Sequence, residues 1–247
     1  MSDIANKVET LMEAMPYLQK YQGKIIVIKY GGNAMINEEL KDAVMHDVVL
    51  LKLLGMKPVL SHGGGPGINK MLEKLDIPVE FIEGLRYTSA DIMRVVEMVL
   101  VGQVNTELVG FINKLGGKAV GLSGVSGDIY HCHQRDEVHG FVGDVDYVDP
   151  KPIFAMLDAG YIPVIAPVGT DGQGHTFNIN GDTAAGKLAS ALGAEKLVIL
   201  TDIEGLCNDI KIRDVISYLN IQDVKALKDK GTIAGGMIPK VDCCVQA

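Results

Sequence analysis

The chain has 247 residues, of which 47% are hydrophobic, enough for a sizeable core in one large domain or two lobes. Its 23 lysines and arginines against 31 aspartates and glutamates leave a net charge of −8, which argues against general nucleic-acid binding. The four cysteines form no CxxC pair. The amino terminus lacks the basic region followed by an apolar region that is typical of a signal peptide, and no apolar run reaches membrane-spanning length. We therefore predict a soluble cytoplasmic protein with neither a nucleic-acid nor a membrane partner.

The residues before the first predicted strand have the apolar spacing of a helix. The stripe comprises Ile4, Val8, Leu11, Met12, Met15 and Leu18. We expect Pro16 to kink or end this helix because proline lacks a backbone N–H. The stripe must be buried either on its own domain or against another subunit, and the sequence leaves both destinations open.

The stretch Lys24–Asn33 (KIIVIKYGGN) combines a buried strand with a charged end. Ile25–Ile28 is a continuous apolar run, typical of a strand that is buried on both faces of a sheet. Lys29 follows at the end of this strand, and Gly31-Gly32 then turn the chain toward a helix. Open α/β sheets place binding sites at such strand ends, but a lysine that only covers apolar surface with its stem would have the same sequence pattern.

The alternation of strand, turn and helix continues along the chain. A second strand over Lys57–Ser61 ends in the turn HGGGPG, and a long helix extends from the N-cap Ser89 to Gly116. Asp128–His133 and Val138–Tyr147 indicate a β-hairpin. The order of elements predicts an α/β protein with a mainly parallel open sheet.

Two glycine turns and a few charged residues indicate where the chemistry lies. The chain has no GxxxxGK[ST] motif, which excludes a P-loop, and HGGGPG lacks the glycine spacing of a dinucleotide-binding turn. Consecutive glycines at helix amino ends expose backbone N–H groups, which suits carboxylates and phosphates. The charged residues in or beside turns are Lys29, Arg86, Asp182 and Lys240. Taken singly, each could instead be a solvated or capping group.

Six motifs occur together in the order found in one protein family. They are KYGGNAM (Lys29–Met35), HGGGPGIN (His62–Asn69), GLRYT (Gly84–Thr88), NINGDTAA (Asn178–Ala185), LTDIEGL (Leu200–Leu206) and GGMIPKV (Gly235–Val241). They cover nearly the whole chain, which resembles the amino acid kinase family and, within it, the N-acetylglutamate kinases of arginine biosynthesis. The resemblance implies a three-layer αβα sandwich around a mainly parallel open sheet, with two lobes. It implies an oligomerisation helix at residues 1–23, an amino-acid lobe at 24–167 and an ATP-binding lobe at 168–247.

The resemblance also implies a role for individual residues. Lys29 and Lys240 match the catalytic lysines that stabilise the transferring phosphoryl group, and Asp182 matches the aspartate that organises them. The implied substrate-binding positions are Gly64, Gly65, Asn178 and Arg86, the last on the α-carboxylate. The implied nucleotide-binding positions are Gly31, Gly32, Thr201, Asp202, Gly205, Leu206, Thr232 and Ala234.

The implied reaction transfers the γ-phosphoryl group of ATP, bound with Mg²⁺, to the side-chain carboxylate of N-acetyl-L-glutamate. A carboxylate is already a nucleophile, so the reaction needs positioning and charge stabilisation rather than a general base. No protein-bound metal is expected. The resemblance further implies a homo-oligomer, a dimer or a hexamer built through the N-terminal helix, and inhibition by arginine.

Two features depart from the family pattern. The family usually has a lysine and an aspartate in the turn that here reads Ser123–Asp128 (SGVSGD), so the resemblance does not define the contacts of this hairpin, which in the family lies as a lid over the amino-acid site. The chain stops at Ala247 inside a helix, and Cys207–Arg213 is short. We therefore expect that part of the ATP-binding lobe is missing from this sequence.

A histidine pair in the predicted hairpin suggests zinc as a further hypothesis. The sequence HCH at 131–133 puts two imidazoles on one face of a strand, with His139 nearby. No further ligands follow at fixed spacing, so a polar hairpin without metal is the favoured interpretation.

Two alternative functions stay open. One is another activity within the family, on carbamate, uridylate, aspartate or glutamate, although Gly84–Thr88 favours an N-acylated amino acid. The other is a relative that binds arginine or a partner without catalysis. The presence of Lys29, Asp182 and Lys240 argues against a pure binder, which needs no phosphoryl-stabilising pair.

Overall fold

Helices and strands alternate along the chain, whose computed structural model describes residues 2–35, 37–201, 205–209 and 214–247. The helices are α1 (Ser2–Tyr21), α2 (Glu38–Leu53), α3 (Gly65–Lys74), α4 (Ala90–Glu97), α5 (Thr106–Lys114), α6 (Lys151–Asp158), α7 (Gly181–Ala191), α8 (Ile221–Asp229) and α9 (Met237–Gln246). A π-helical segment, Met98–Asn105, joins α4 to α5.

Within the described ranges, the strands form two larger sheets and two short ribbons. They are β1 (Ile25–Tyr30), β2 (Lys57–His62), β3 (Phe81–Ile82), β4 (Leu85–Arg86), β5 (Ala119–Ser123), β6 (Tyr130–Gln134), β7 (Gly143–Val148), β8 (Ile162–Ala166), β9 (Val168–Thr170), β10 (Thr176–Asn178), β11 (Lys196–Ile199), β12 (Cys207–Asp209) and β13 (Asp214–Val215). The central sheet has the order β11-β1-β2-β8-β5 and all its pairs are parallel.

The central sheet is covered on both faces, which explains its continuous apolar strands. Side chains alternate between the faces. Those on one face, which pack with α2, α3 and the helix from α4 to α5, include Ile28, Leu60 and Val164. Those on the other face, which pack with α6 and α7, include Val27, Val59 and Ile165. The predicted α/β architecture around a mainly parallel sheet is confirmed.

The second sheet, in the order β10-β9-β6-β7, contains the predicted hairpin. Strands β6 and β7 pair in an antiparallel register from Tyr130–Val148 to Gln134–Gly143, so the hairpin is confirmed. Apolar residues of this sheet, such as Cys132, belong to the same core cluster as Val27.

Helix α1 leaves the middle of its apolar stripe, from Val8 to Met15, exposed. It continues past Pro16 to Tyr21, so Pro16 does not end the helix, and the alternative of a kink at Pro16 stays a prediction. A proline removes a single N–H, and water can satisfy the carbonyl that this frees on an exposed helix. The stripe residues Val8, Leu11, Met12 and Met15 are 54%, 65%, 62% and 43% exposed, so they do not pack on their own domain. Leu18 and Tyr21 hold the end of the helix against the core.

The continuous helix over Ala90–Lys114 corrects the expectation about apolar length. At 25 residues it is long and apolar enough, by length and composition alone, to cross a membrane. Its apolar face packs in the core of the central sheet, through residues such as Val96 and Leu108. The apolar composition of this helix is therefore explained by its packing in the core.

Helices α7 and α9 approach so closely that one glycine is required between them. A Cβ atom at Gly186 would lie 2.7 Å from the carbonyl oxygen of Cys243 and 2.9 Å from its Cα. These are backbone atoms, so an added methyl group could be accommodated only by a shift of α9.

We expect Gly186→Ala to lower the free energy of unfolding by about 1–3 kcal/mol through this overpacking. Urea denaturation monitored by circular dichroism measures the change. Gly110→Ala is the matched control, because nothing lies within 4 Å of the added atom on α5. The control is expected to be neutral or stabilising by up to about 1 kcal/mol. Equal unfolding midpoints for the two variants would contradict the close packing of α7 and α9.

Candidate active site

Lys29 lies at the carboxyl end of β1 and is paired with a carboxylate. It is 7% exposed, and its Nζ lies 2.8 Å from Oδ1 of Asp182. Asp182 is in the first turn of α7, where Asn180 caps the helix by accepting from the N–H groups of Asp182 (2.9 Å) and Thr183 (3.1 Å). A carboxylate in this position also meets the positive end of the helix dipole.

The other oxygen of Asp182 binds the second predicted lysine. Nζ of Lys240, on α9, donates to Oδ2 of Asp182 at 3.0 Å. Burial would raise the pKa of Asp182, but the ammonium groups of Lys29 and Lys240 outweigh it, so the pKa lies below its usual value. The carboxylate is ionised at neutral pH, and the cluster has two cations for one anion. Its net positive charge favours a further anion.

A cavity of about 250 Å³ opens beside this cluster. The predicted site residues that line it are Lys29, Gly31, Gly32, Gly64, Gly65, Arg86, Asn178 and Asp182. All predicted substrate-binding positions therefore lie around one cavity, although they come from separate parts of the sequence. Most of its remaining lining is apolar, with Ile68, Phe81, Leu100, Val142 and Ile179 among it.

Arg86 presents a guanidinium that is only partly satisfied. It is 8% exposed, its Nη2 donates to Oδ1 of Asn69 at 2.5 Å, and the group lies 4.9 Å from the ring centre of Phe81. Its buried Nη1 has no hydrogen-bond partner among the described residues. Burial lowers the pKa of Arg86. A buried cation with a free donor beside a cavity suits a ligand carboxylate.

Gly64 and Gly31 in the glycine turns lie close to neighbouring side chains. A Cβ atom at Gly64 would lie 2.4 Å from Cδ2 of Leu100, and one at Gly31 would lie 3.0 Å from Nζ of Lys29. Gly64 is the N-cap of α3, and no side chain in the described part of the chain caps this helix. The first N–H groups of α3 are therefore free to bind an anion from the cavity.

A second cavity, of about 350 Å³, lies on the other side of Lys240. Its lining contains Thr201, Gly205 and Leu206 from the predicted nucleotide-binding set. Thr232 and Ala234 do not line it, and they lie in the segment between α8 and α9. Asp202 is outside the described residues. Because Lys240 lines this cavity and also binds Asp182, the two cavities meet at the lysine–aspartate cluster.

His62 and Asn105 are site residues that the sequence did not indicate. His62, fully buried at the end of β2, contacts the carbonyl of Gly63 through Nδ1 at 2.8 Å. Nδ2 of Asn105 lies 3.0 Å from Nε2 of His62. Burial lowers the pKa of His62 to about 4, so the imidazole is neutral. With both ring nitrogens engaged, His62 is not a free general base.

Each histidine in or near the hairpin contacts a different aspartate. His131 lies 3.5 Å from a carboxylate oxygen of Asp128, and His133 lies 2.7 Å from one of Asp146. His139 contacts Asp136 at 2.8 Å. Among the described residues, no group of three or more His, Cys, Asp or Glu side chains converges on one point.

Comparisons with known proteins indicate the family. The model of the Amino acid kinase family matches residues 24–247. An acetylglutamate kinase of Heliobacterium modesticaldum is 52% identical, over 98% of this chain and 86% of its own. The crystal structure of the Streptococcus mutans protein smu.665 has a TM-score of 0.79 at 32% identity and covers 90% of this chain and 89% of its own. A Giardia carbamate kinase has a TM-score of 0.65 at 17% identity, covering 91% of this chain and 88% of its own, which indicates the shared fold alone.

Proposed function

The chain belongs to the amino acid kinase family, and from that premise we propose that it phosphorylates the side-chain carboxylate of N-acetyl-L-glutamate with ATP, in arginine biosynthesis. The products are N-acetyl-L-glutamyl 5-phosphate and ADP. The observation that carries the proposal is the cluster of Lys29, Asp182 and Lys240 between the two cavities. A transferring phosphoryl group between two anionic partners needs such a positive charge.

The two lysines act on the phosphoryl group during transfer. Lysine is a compact point charge, which suits a group whose position changes in the reaction. Asp182 holds both ammonium groups in place, so little reorganisation is needed when negative charge develops. The acceptor carboxylate attacks phosphorus directly, and ADP leaves.

N-acetyl-L-glutamate occupies the 250 Å³ cavity in this proposal. Arg86 binds the α-carboxylate through its free Nη1, while Gly64 and Gly65 donate backbone N–H groups. Asn178 lines the same cavity, and its Nδ2 donates to Oγ1 of Thr88 at 3.2 Å. Among the described residues, Asp182 is the one carboxylate in the lining, and both lysines engage it. The cavity thus offers no counterion to a free α-ammonium, which favours an N-acylated substrate over glutamate.

ATP occupies the second cavity and extends its phosphates toward Lys240. Gly31 and Gly32 contact the phosphates, and Thr201, Asp202, Gly205, Leu206, Thr232 and Ala234 hold the rest of the nucleotide in this proposal. We propose an amino-acid lobe at 24–167 and an ATP-binding lobe at 168–247, with Asn178 and Asp182 of the second lobe also lining the amino-acid cavity. Mg²⁺ enters as part of the ATP complex, since the lining carboxylate Asp182 is already bound by two lysines.

A coupled assay of ADP release tests the proposed reaction. The acceptors are N-acetyl-L-glutamate, glutamate, carbamate, uridylate and aspartate, each with MgATP, and arginine is added to a parallel series. Turnover confined to N-acetyl-L-glutamate supports the proposal. Preference for another acceptor assigns a different activity of the family, and no turnover with any acceptor favours a non-catalytic binder. Inhibition by arginine, which we propose as feedback control, appears in the parallel series.

We expect Lys29→Ala and Lys240→Ala each to lower kcat by about 10²–10³-fold, or roughly 3–4 kcal/mol, because each removes one preorganised positive charge. Steady-state assays with both substrates saturating give the value. Lys114→Ala removes an exposed lysine at the end of α5 and serves as the control. Near-normal turnover of Lys29→Ala would exclude a catalytic role for this lysine.

We expect Arg86→Lys to raise KM for N-acetyl-L-glutamate at least roughly tenfold, because lysine lacks the planar fork that binds a carboxylate through two nitrogens. KM for ATP should stay within about twofold of the wild-type value. Arg94→Lys, at an exposed position on α4, is the matched control. A change confined to KM for ATP would be incompatible with the α-carboxylate role.

We propose that the exposed stripe of α1 joins protomers into a homo-oligomer, a dimer or a hexamer. Leu11→Glu combined with Met12→Glu places two charges on the stripe and leaves the core contact of Leu18 in place. We expect a lower mass than that of the wild-type protein by light scattering, because charges are costly to bury in an apolar interface. Glu9→Gln, at another exposed position of α1, is the control. An unchanged mass in the double variant would contradict the proposal.

A further inference from the structure

The π-helical segment Met98–Asn105 directs an asparagine to the sheet. Its buried residues are Val99, Leu100, Val104 and Asn105, whereas Gln103 is exposed. The steps from 99 to 104 and from 100 to 105 are five residues long, as expected for i→i+5 hydrogen bonding. In a regular α-helix, Asn105 would be rotated away from the line of Leu100. The wider turn places its amide against strand ends of the central sheet.

The amide of Asn105 connects three parts of the fold. Its Nδ2 lies 2.9 Å from the carbonyl of Val164 on β8, 3.3 Å from that of Leu122 on β5 and 3.0 Å from Nε2 of His62. A Cβ atom at Gly121 would lie 2.0 Å from Oδ1 of Asn105, so this position requires glycine. Because the carbonyl oxygen of Gly63 can only accept, the proton of the neutral imidazole lies on Nδ1, and Nε2 is left to accept from the amide of Asn105.

The tautomer of His62 determines the orientation of a peptide at the cavity. The Nδ1–H donates to the carbonyl of Gly63, and the N–H of Gly63 donates to the carbonyl of Tyr30 at 2.8 Å. In a trans peptide the next N–H points opposite to the carbonyl. The N–H of Gly64 therefore points away from His62, and Gly64 lines the 250 Å³ cavity.

We infer that Asn105, acting through His62, is a positioning residue for the amino-acid substrate, because the pair directs the N–H of Gly64 toward the bound anion. The inference rests on the proposed function for the identity of that anion. Leu100 and Val104 of the same π-helical segment lie within 4 Å of the position of a Cβ at Gly64, so the segment packs directly against the turn. Neither Asn105 nor His62 lines the cavity, and both act through the backbone.

The variant Asn105→Asp tests this inference with a pH dependence that packing alone does not predict. The new carboxylate can only accept, so His62 must donate from Nε2. At low pH the imidazolium also keeps its Nδ1–H, and the peptide keeps its orientation. At high pH the single imidazole proton moves to Nε2, and Nδ1 loses its bond to Gly63. Burial lowers the pKa of wild-type His62 to about 4, and the neighbouring carboxylate of the variant raises it from there, so the change falls above about pH 4.

We expect KM of Asn105→Asp for N-acetyl-L-glutamate to lie near the wild-type value at low pH and roughly tenfold higher at high pH, as for one lost buried hydrogen bond. KM for MgATP should change less than about twofold. The wild-type protein and Gln103→Glu, a matched charge change on the exposed face of the π-helical segment, should lack this transition. If KM is independent of pH in Asn105→Asp, or if both KM values rise together, the inference is overturned.

Nitrogen NMR of the histidine side chains gives a readout that needs no turnover. We expect wild-type His62 in the Nδ1–H form throughout the neutral range, and a different tautomer in wild type overturns the inference whatever the substrate is. If Asn105→Asp does not fold, His62→Asn and His62→Gln decide the matter. The shorter amide of asparagine reproduces the donor at Nδ1. We therefore expect a lower KM for N-acetyl-L-glutamate in His62→Asn than in His62→Gln, and equal or reversed KM values overturn the inference. Absence of wild-type turnover, in contrast, contradicts the proposed function alone.

Discussion

The carboxylate of Asp182 holds two ammonium groups that the sequence supplies from β1 and from α9. Buried charges are costly unless they are paired, so this contact requires β1, α7 and α9 to meet at one point. The cap of Asn180 determines where α7 begins, and the close approach at Gly186 determines where α9 lies. Both features therefore help to bring Lys240 to Asp182. Because one carboxylate pairs with two ammonium groups, the cluster has a net positive charge, and both cavities border it.

The parallel sheet explains why residues distant in sequence surround one cavity. Parallel strands have their carboxyl ends at the same edge of a sheet. Lys29 is near the end of β1, Gly63 follows β2, and Pro167 follows β8, and all three line the cavity. Because these strands are buried on both faces, close packing in the core determines their positions. The site residues at the strand ends are therefore held in place as well.

Residues with a local signal could be predicted from the sequence, and residues whose role depends on distant partners could not. Lys29 ends an apolar run beside two glycines, and that pattern predicted a strand end and left a binding site as one of two interpretations. Asn105, in contrast, is one polar residue in an apolar helix, and its partners Leu122 and Val164 lie 17 and 59 residues farther along the chain. The π-helical segment shifts the buried stripe by a single residue. The spacing of apolar residues in the sequence does not distinguish such a shift from an irregular α-helix. The stripe of α1 was equally clear in the sequence, but its exposure depends on where the helix lies.

The composition of the cavity restricts the acceptor that the site can activate. The polar groups that line it or support it are donors to anions, such as Lys29, Arg86 and the glycine N–H groups, or groups already engaged, such as Asp182 and His62. An alcohol acceptor would need a base to remove its proton, and among the described lining residues the sole carboxylate is bound by two lysines. An acceptor that is ionised in solution needs no such base. In the role that we propose for Arg86, this side chain binds a second carboxylate on the same molecule, which carbamate lacks. The electrostatics of the site are therefore those expected for an acylated dicarboxylic amino acid.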